Sequence, residues 1–367
     1  MKFHFAKTIV SIIVPILCSI FLLGNTPEES GKDVHQKLYV LNSSGGDITV
    51  IDVATNKILR TIRVGTLPHG VATTKAHDVL YISVERENAL TVVDPVKDKV
   101  MKRYEFFGKR PNEIEVTSDG RFVYMPAFSD GKYEVFDTNN EEIIQRISVD
   151  GNPHNVVVSH DDKYMYLSPV DRGRLSIEEA KAQGWGPTSL NKKIYVVETA
   201  THTIVDTIHT GNTPRPITIN SDGTRLYVNT DNLLGFLVID LEKRKVVHTA
   251  EYKLTPEEKQ VPSQSHGIVI TPDDSQVWST DVAHGVVHVF DVTKEPPEQI
   301  ARIKGGKERL TPYWLAITPD GKTVYAANTA DSTISVLDVT TLKEVARIKL
   351  GRGKSPKRML VLNVPIR

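Results

Sequence analysis

Seven residues recurring at one place in a repeat gather imidazole, guanidinium and ammonium nitrogen at that place. His69, Asn112, His154, Arg215, His266 and Tyr313 each stand twelve positions before an aromatic residue (Tyr81, Tyr124, Tyr166, Tyr227, Trp278 and Tyr325), and Lys357 joins them through the proline before it. Imidazoles from His69, His154 and His266 meeting at one point could hold Zn, Cu or Fe with positions left open for a ligand. Alternatively, one imidazole could serve as acid or base on an organic substrate, with Glu85, Glu113 and Glu115 as further acid–base candidates. Arg215 and Lys357, with Arg110 nearby, suit a small anion, a carboxylate or the propionates of a haem-type tetrapyrrole. A structural reading stands beside these. Strand alternation puts His154 on the same face as Val156 and Val158, where it could cap a strand end, although a strand terminus leaves room for inward rotation.

Whether these residues can meet depends on the elements that carry them. The aromatic column begins at Tyr39, and an acidic column runs in step with it: Asp52, Asp94, Asp137, Glu198, Asp240, Asp291 and Asp338. Both columns have seven members. Each unit holds runs rich in Val, Ile, Thr and Tyr separated by turn residues, as in LYVLN, ITVIDV, ILRTIRV and GVATT, and helical periodicity is nearly absent. Four short strands in each of seven units predict an all-β, seven-bladed propeller of antiparallel blades. The first unit supplies three strands and the chain ends on an orphan, RMLVLNV, so the C-terminal strand is expected to close the ring as the innermost strand of the first blade. The acidic column reads as turn chemistry, since Asp side chains accept backbone N–H bonds there. The seven polar residues should then form a collar near one mouth of the central channel, with the three histidines on alternate inner strands.

The stretches ITVIDVATNKILRTIRVGTLPHGVA, LYVNTDNLLGFLVIDLEKRKVV and TVYAANTADSTISVLDVTTLKEVARIKLGRGKSP resemble the YVTN-repeat, YncE-like β-propellers, and the resemblance covers nearly everything from residue 37 onward. More distantly the units look like those of cytochrome d1-type propellers, seven-bladed lactonases and the streptogramin lyase. The resemblance implies the fold; propellers of one shape carry many chemistries.

The 45 basic and 45 acidic residues cancel, so the chain lacks the basic excess of a general nucleic-acid binder. Residues 1–24 place Lys2 and Lys7 before an apolar run, which reads as a secretory signal or an uncleaved signal anchor, followed by a linker over 25–36 and the propeller over 37–367. The protein is therefore expected to be exported, to a periplasm or cell surface, with the N-terminal segment as its one route to a membrane. Cys18 lies in that segment, so the propeller has no thiolate chemistry. The longest departures from the repeat, SPVDRGRLSIEEAKAQGWGPTSLN and YKLTPEEKQVPSQS, fall at connections expected on the collar face, with Trp185 as an anchor over the mouth. The leading expectation is a module that binds a small anionic ligand or a protein partner at that face. Its rivals are a metal- or tetrapyrrole-binding redox protein, and a lactonase- or lyase-like enzyme.

Overall fold

The computed structural model describes residue 1 and residues 34–105, 107–170, 192–231, 233–261, 265–305 and 310–366. They form seven four-stranded antiparallel sheets, each ordered from the inside outward in chain order except the first. In blade 1 the C-terminal strand Pro356–Pro365 lies innermost, followed by Val34–Asn42, Asp47–Asp52 and Ile58–Arg63. Val34 opposes Pro365 and Asn42 opposes Pro356, so one ladder joins the two ends of the described chain and closes the ring. Strand Val34–Asn42 takes in the last residues of the stretch read as a linker. The inner strands of blades 2 to 7 are Pro68–Thr73, Glu115–Val116, Asn152–Val158, Pro214–Ile219, Ile268–Ile270 and Pro312–Ile317.

Each blade buries both faces against its neighbours. Tyr39, Ile48 and Val50 of blade 1 pack with Val71, Leu80 and Ile82 of blade 2; Trp278 and Val289 of blade 6 pack with Leu315 and Val324 of blade 7. Middle strands are therefore buried along nearly their whole length and largely apolar, and full burial of each Val, Leu or Ile contributes about 1.5–3 kcal/mol. Outermost strands need no such run: Ile58–Arg63 exposes all but Ile62 and carries Arg60 and Arg63.

The acidic column does what its position predicts. Asp52 accepts from the backbone N–H of Thr55, Asp94 from Val96 and Lys97, Asp240 from Lys243 and Asp338 from Thr341. These turns lie at the end of the ring away from the collar. At the collar end, the start of each inner strand sits beside the end of the second strand, as Pro68 does beside Val84 and Asn152 beside Val170. The chain therefore leaves blade 4 at Val170 and returns at Lys192 on the collar face, and the strand ends Glu251 and Ile268 also face that side. No helix among the described residues is long and apolar enough to cross a membrane.

Candidate functional site

The collar residues sit where the inner strands lose register. In blade 2 the pairing runs from Pro68↔Val84 to Val71↔Ile82, three residues against two; blades 4 and 5 repeat this between Asn152 and Asn155 and between Pro214 and Ile217. Blade 7 slips at Tyr313 and blade 1 at Lys357, so the collar residue itself is the extra one. A β-bulge turns the side chain it carries off the alternating pattern. Strand alternation would have aimed these residues between blades; in blades 1, 2, 4, 5 and 7 the bulges turn them off that pattern, while Asn112 and His266 stand ahead of the inner strands of blades 3 and 6. Hydroxyls from neighbouring strands satisfy the displaced backbone: the N–H of His154 donates to Tyr133 Oη at 3.0 Å, that of Gly70 to Ser83 Oγ at 2.8 Å, and those of His266 and Gly267 to Thr280 Oγ1. Gly70 is required for the closure of blade 3 onto blade 2, because a Cβ there would stand 2.6 Å from the Asn112 carbonyl oxygen.

The three histidines converge. His69 and His154 belong to blades 2 and 4, which have blade 3 between them, yet their ring centroids lie 6.3 Å apart, edge to face. His154 and His266, on blades 4 and 6, are 6.5 Å apart. Side chains of non-adjacent blades approach this closely only at the channel axis. Tyr313 extends the row, stacking on His266 at 3.8 Å with its hydroxyl 2.8 Å from Nε2, and Lys357 Nζ stands 6.0 Å from the Tyr313 ring centroid. Arg215 is buried and held by Asp231 through Nε and Nη2. Asn112 turns its side-chain oxygen back to the N–H of Glu113 and so serves the backbone. His69, His154, His266, Tyr313 and Lys357 thus form one continuous row at one end of the channel; Trp185 lies outside the described residues.

Glu85 organises the side of the collar near blade 2. Its Oε2 accepts the Nδ1 proton of His69 at 2.9 Å, and its Oε1 accepts from Arg110 at 2.7 and 2.9 Å. That fixes the lone pair of His69 on Nε2, a buried atom with no hydrogen-bond partner among the described residues. Outside it opens a cleft of about 510 Å³ whose walls include Arg86, Lys109 and Arg110. Three cations at its rim draw anions toward the mouth.

The sequence reading missed the residue below the collar. Arg358 is fully buried, its guanidinium carbon 3.4 Å from the centroid of Trp314 on blade 7 and its Nε paired with Glu113 on blade 3. It therefore reaches from blade 1 to groups on both sides of the ring. Its Nη1 and Nη2 have no acceptor among the described residues. Burial is the main cause that holds all three imidazoles well below the ordinary histidine range, and Arg358 is the cation whose charge lowers every one of them, joined by Lys357 and Arg110 at His69, Arg215 at His154, and Arg215 and Lys357 at His266. Burial likewise pushes Glu113 up to about 7, against the opposing pull of Arg358 and Lys357, and Glu115 up to about 8.

This donor set does not fit a metal dication. Among the described residues no three His, Cys, Asp or Glu side chains are grouped to hold one. The imidazoles meet edge to face inside a field of arginine and lysine charge, where a second dense positive charge is opposed. The same field favours an anion.

No family model matches the chain. Antigen Lp49 of Leptospira interrogans is 26% identical over 207 residues, which is 53% of this chain and 43% of that protein, so the chain matches less than half the length of this curated relative. Solved structures share the fold. The periplasmic gluconolactonase PpgL of Pseudomonas aeruginosa superposes with a TM-score of 0.71 at 16% identity, covering 90% of this chain and 99% of that one. Hydrazine synthase of Kuenenia stuttgartiensis gives 0.65 at 20% identity, over 82% and 96%. The dihydro-heme d1 dehydrogenase NirN gives 0.62 at 14% identity, over 89% and 66%.

Proposed function

We propose that this propeller is an exported module that binds a small anionic ligand, a carboxylate above all, at the channel mouth ringed by the collar. One observation carries the reading: three neutral imidazoles from alternate blades meet at the axis inside a shared field of arginine and lysine charge. Neutral imidazoles offer hydrogen bonds without adding charge, while Arg215, Lys357 and the deeper Arg358 supply the attraction. The cationic cleft beside Glu85 supports entrance from the collar face. Export rests on Lys2, Lys7 and the apolar run that follows. The test is calorimetric titration of the full propeller with acetate, succinate, citrate and gluconate. Binding that Arg215→Gln weakens about tenfold or more is expected, a loss of about 1.4 kcal/mol. Absence of binding for every anion at millimolar concentration overturns the reading.

The Glu85–His69 pair favours a second reading, a hydrolase acting on cyclic esters. A carboxylate that fixes the imidazole tautomer and leaves Nε2 as the free base is the arrangement general-base catalysis needs. The neighbour PpgL is named a gluconolactonase, which makes glucono-lactone the first substrate to try. Because the His69 imidazole stays neutral well below the ordinary range, hydrolysis should hold its rate as pH falls through 6.5 and vanish in His69→Ala. Turnover that survives that substitution excludes His69 as the base.

A further inference from the structure

Arg358 is a fully buried guanidinium that forms an ion pair with Glu113 on its Nε side, while none of its three nitrogens, the forked Nη1 and Nη2 included, has a hydrogen-bond acceptor among the described residues. Removing a cation from water and leaving its donors unpaired is costly. Trp314 offsets part of that cost through a cation–π contact, its ring centroid 3.4 Å from the guanidinium carbon, which also holds the group in place. A fork so held matches the two oxygens of a carboxylate.

Its setting is equally specific. Arg358 follows the collar residue of its strand directly, and the residues in the same position on the other inner strands are Gly70, Glu113, Asn155, Pro216, Gly267 and Trp314. Arg358 is the lone cation of that row and Glu113 the lone anion. The charged groups that act on Glu113 are Arg358 and Lys357 from blade 1, and Glu115 on its own strand is coupled to it. Arg358 and Lys357 attract its charge, and Glu115 opposes it.

We propose that Arg358 is the anchor for the ligand's carboxylate at the floor of the collar, and that Glu113 is a resident counter-ion that the ligand displaces, taking up one proton from solvent as it leaves the guanidinium. The proposal rests on the anion-binding reading of the mouth and adds its anchor and its proton linkage. Two carboxylates cannot share one buried cation without repulsion, so the displaced one is neutralised. Charge balances: one anion enters, one proton enters, and the Arg358 charge stays compensated. The position of Glu113 near 7 makes this exchange available close to neutrality.

The experiment titrates the intact propeller with gluconate and with acetate as probe anions, following proton uptake with a pH indicator in weakly buffered solution. Expected are close to one proton per bound anion at pH 8, almost none at pH 5.5, and affinity falling toward tenfold per pH unit above 7. Glu113→Gln should abolish the uptake and flatten the pH dependence. Arg358→Gln should weaken binding at least tenfold, and should that variant not fold, the pair Arg358→Met with Glu113→Gln, which removes both charges together, carries the same expectation. No anion binding at all sinks the mouth reading and this proposal together. Binding with no proton uptake, with uptake that persists in Glu113→Gln, or with affinity indifferent to Arg358 overturns this proposal and leaves the mouth reading standing.

Discussion

His69 gives its Nδ1 proton to Glu85 from the adjacent strand of the same blade, and the other oxygen of Glu85 is gripped by Arg110. The carboxylate is thus both the orienter of the imidazole and the tie that brings Arg110 to the mouth. Nitrogen-15 NMR of the imidazoles should show His69 wholly in the Nδ1–H form. Glu85→Leu should yield a mixture of tautomers and cost about 1.5–3 kcal/mol in a urea melt, the range for hydrogen bonds to a charged group. An unchanged tautomer in the variant means that Glu85 does not set it.

The three collar imidazoles are buried neutral, so their folded-state pKa values lie below the unfolded one. Unfolding then takes up protons once pH falls below the ordinary histidine value of about 6.5. Their stability contribution is complete above that value and is lost as pH falls through it toward the folded values. His154→Gln should reduce by about one the protons taken up on unfolding near pH 5.5, read from the slope of stability against pH. A slope identical to wild type contradicts the buried neutral assignment.

Glu115 has the opposite sign. Burial, Glu113 and Asp162 raise it to about 8, above its unfolded value of 4.5. The folded state then holds a proton that the unfolded chain releases, so the contribution of Glu115 is whole below 4.5 and is lost as pH rises from there to about 8. Its counterparts on the other inner strands, Ala72, Val157, Thr218, Val269, Ala316 and Leu360, carry no charge. Glu115→Gln should therefore gain on wild type steadily across that window and level off above it. Parallel denaturant midpoints at pH 5 and pH 8 for the two proteins contradict the shift.

At the far end of the ring, Asp98 ties blade 2 to blade 1. Its carboxylate accepts from Lys37 Nζ at 2.9 Å and from Tyr39 Oη at 2.8 Å, and both donors also reach the Pro95 carbonyl. Lys37 and Asp98 are both buried, so Asp98→Ala leaves an uncompensated ammonium and should cost about 3–5 kcal/mol. Tyr39→Phe removes the hydroxyl's hydrogen bond to the Asp98 carboxylate and should cost about 1.5–3 kcal/mol. Chemical denaturation of the two variants separates these figures; equal losses imply that the ion pair adds nothing beyond the hydrogen bond.

The ring was legible because its turns repeat chemically: the acid after each third strand and the aromatic at each second-strand position are forced by turn geometry and by burial on both faces. The collar was legible as a set of residue types, though its aim was not, since alternation predicts side chains between blades and the bulges that redirect them leave no mark in composition. Arg358 escaped notice for a different reason. It sits on the strand with no repeat of its own, in a row whose members range from glycine to tryptophan, so no column exposes it. The signal available was a single charge, opposite in sign to Glu113, at an otherwise neutral position on an inner strand.

The ladder that pairs Val34 with Pro365 fixes a direction as well as a closure. Val34 and Pro365 stand side by side at the rim opposite the collar residues. A tether engineered directly at Val34 or Pro365, to a resin, a sensor chip or a bilayer, holds the disc with its opening turned outward to the surrounding fluid. Attached in that orientation, the propeller stays open to solute without having to reorient.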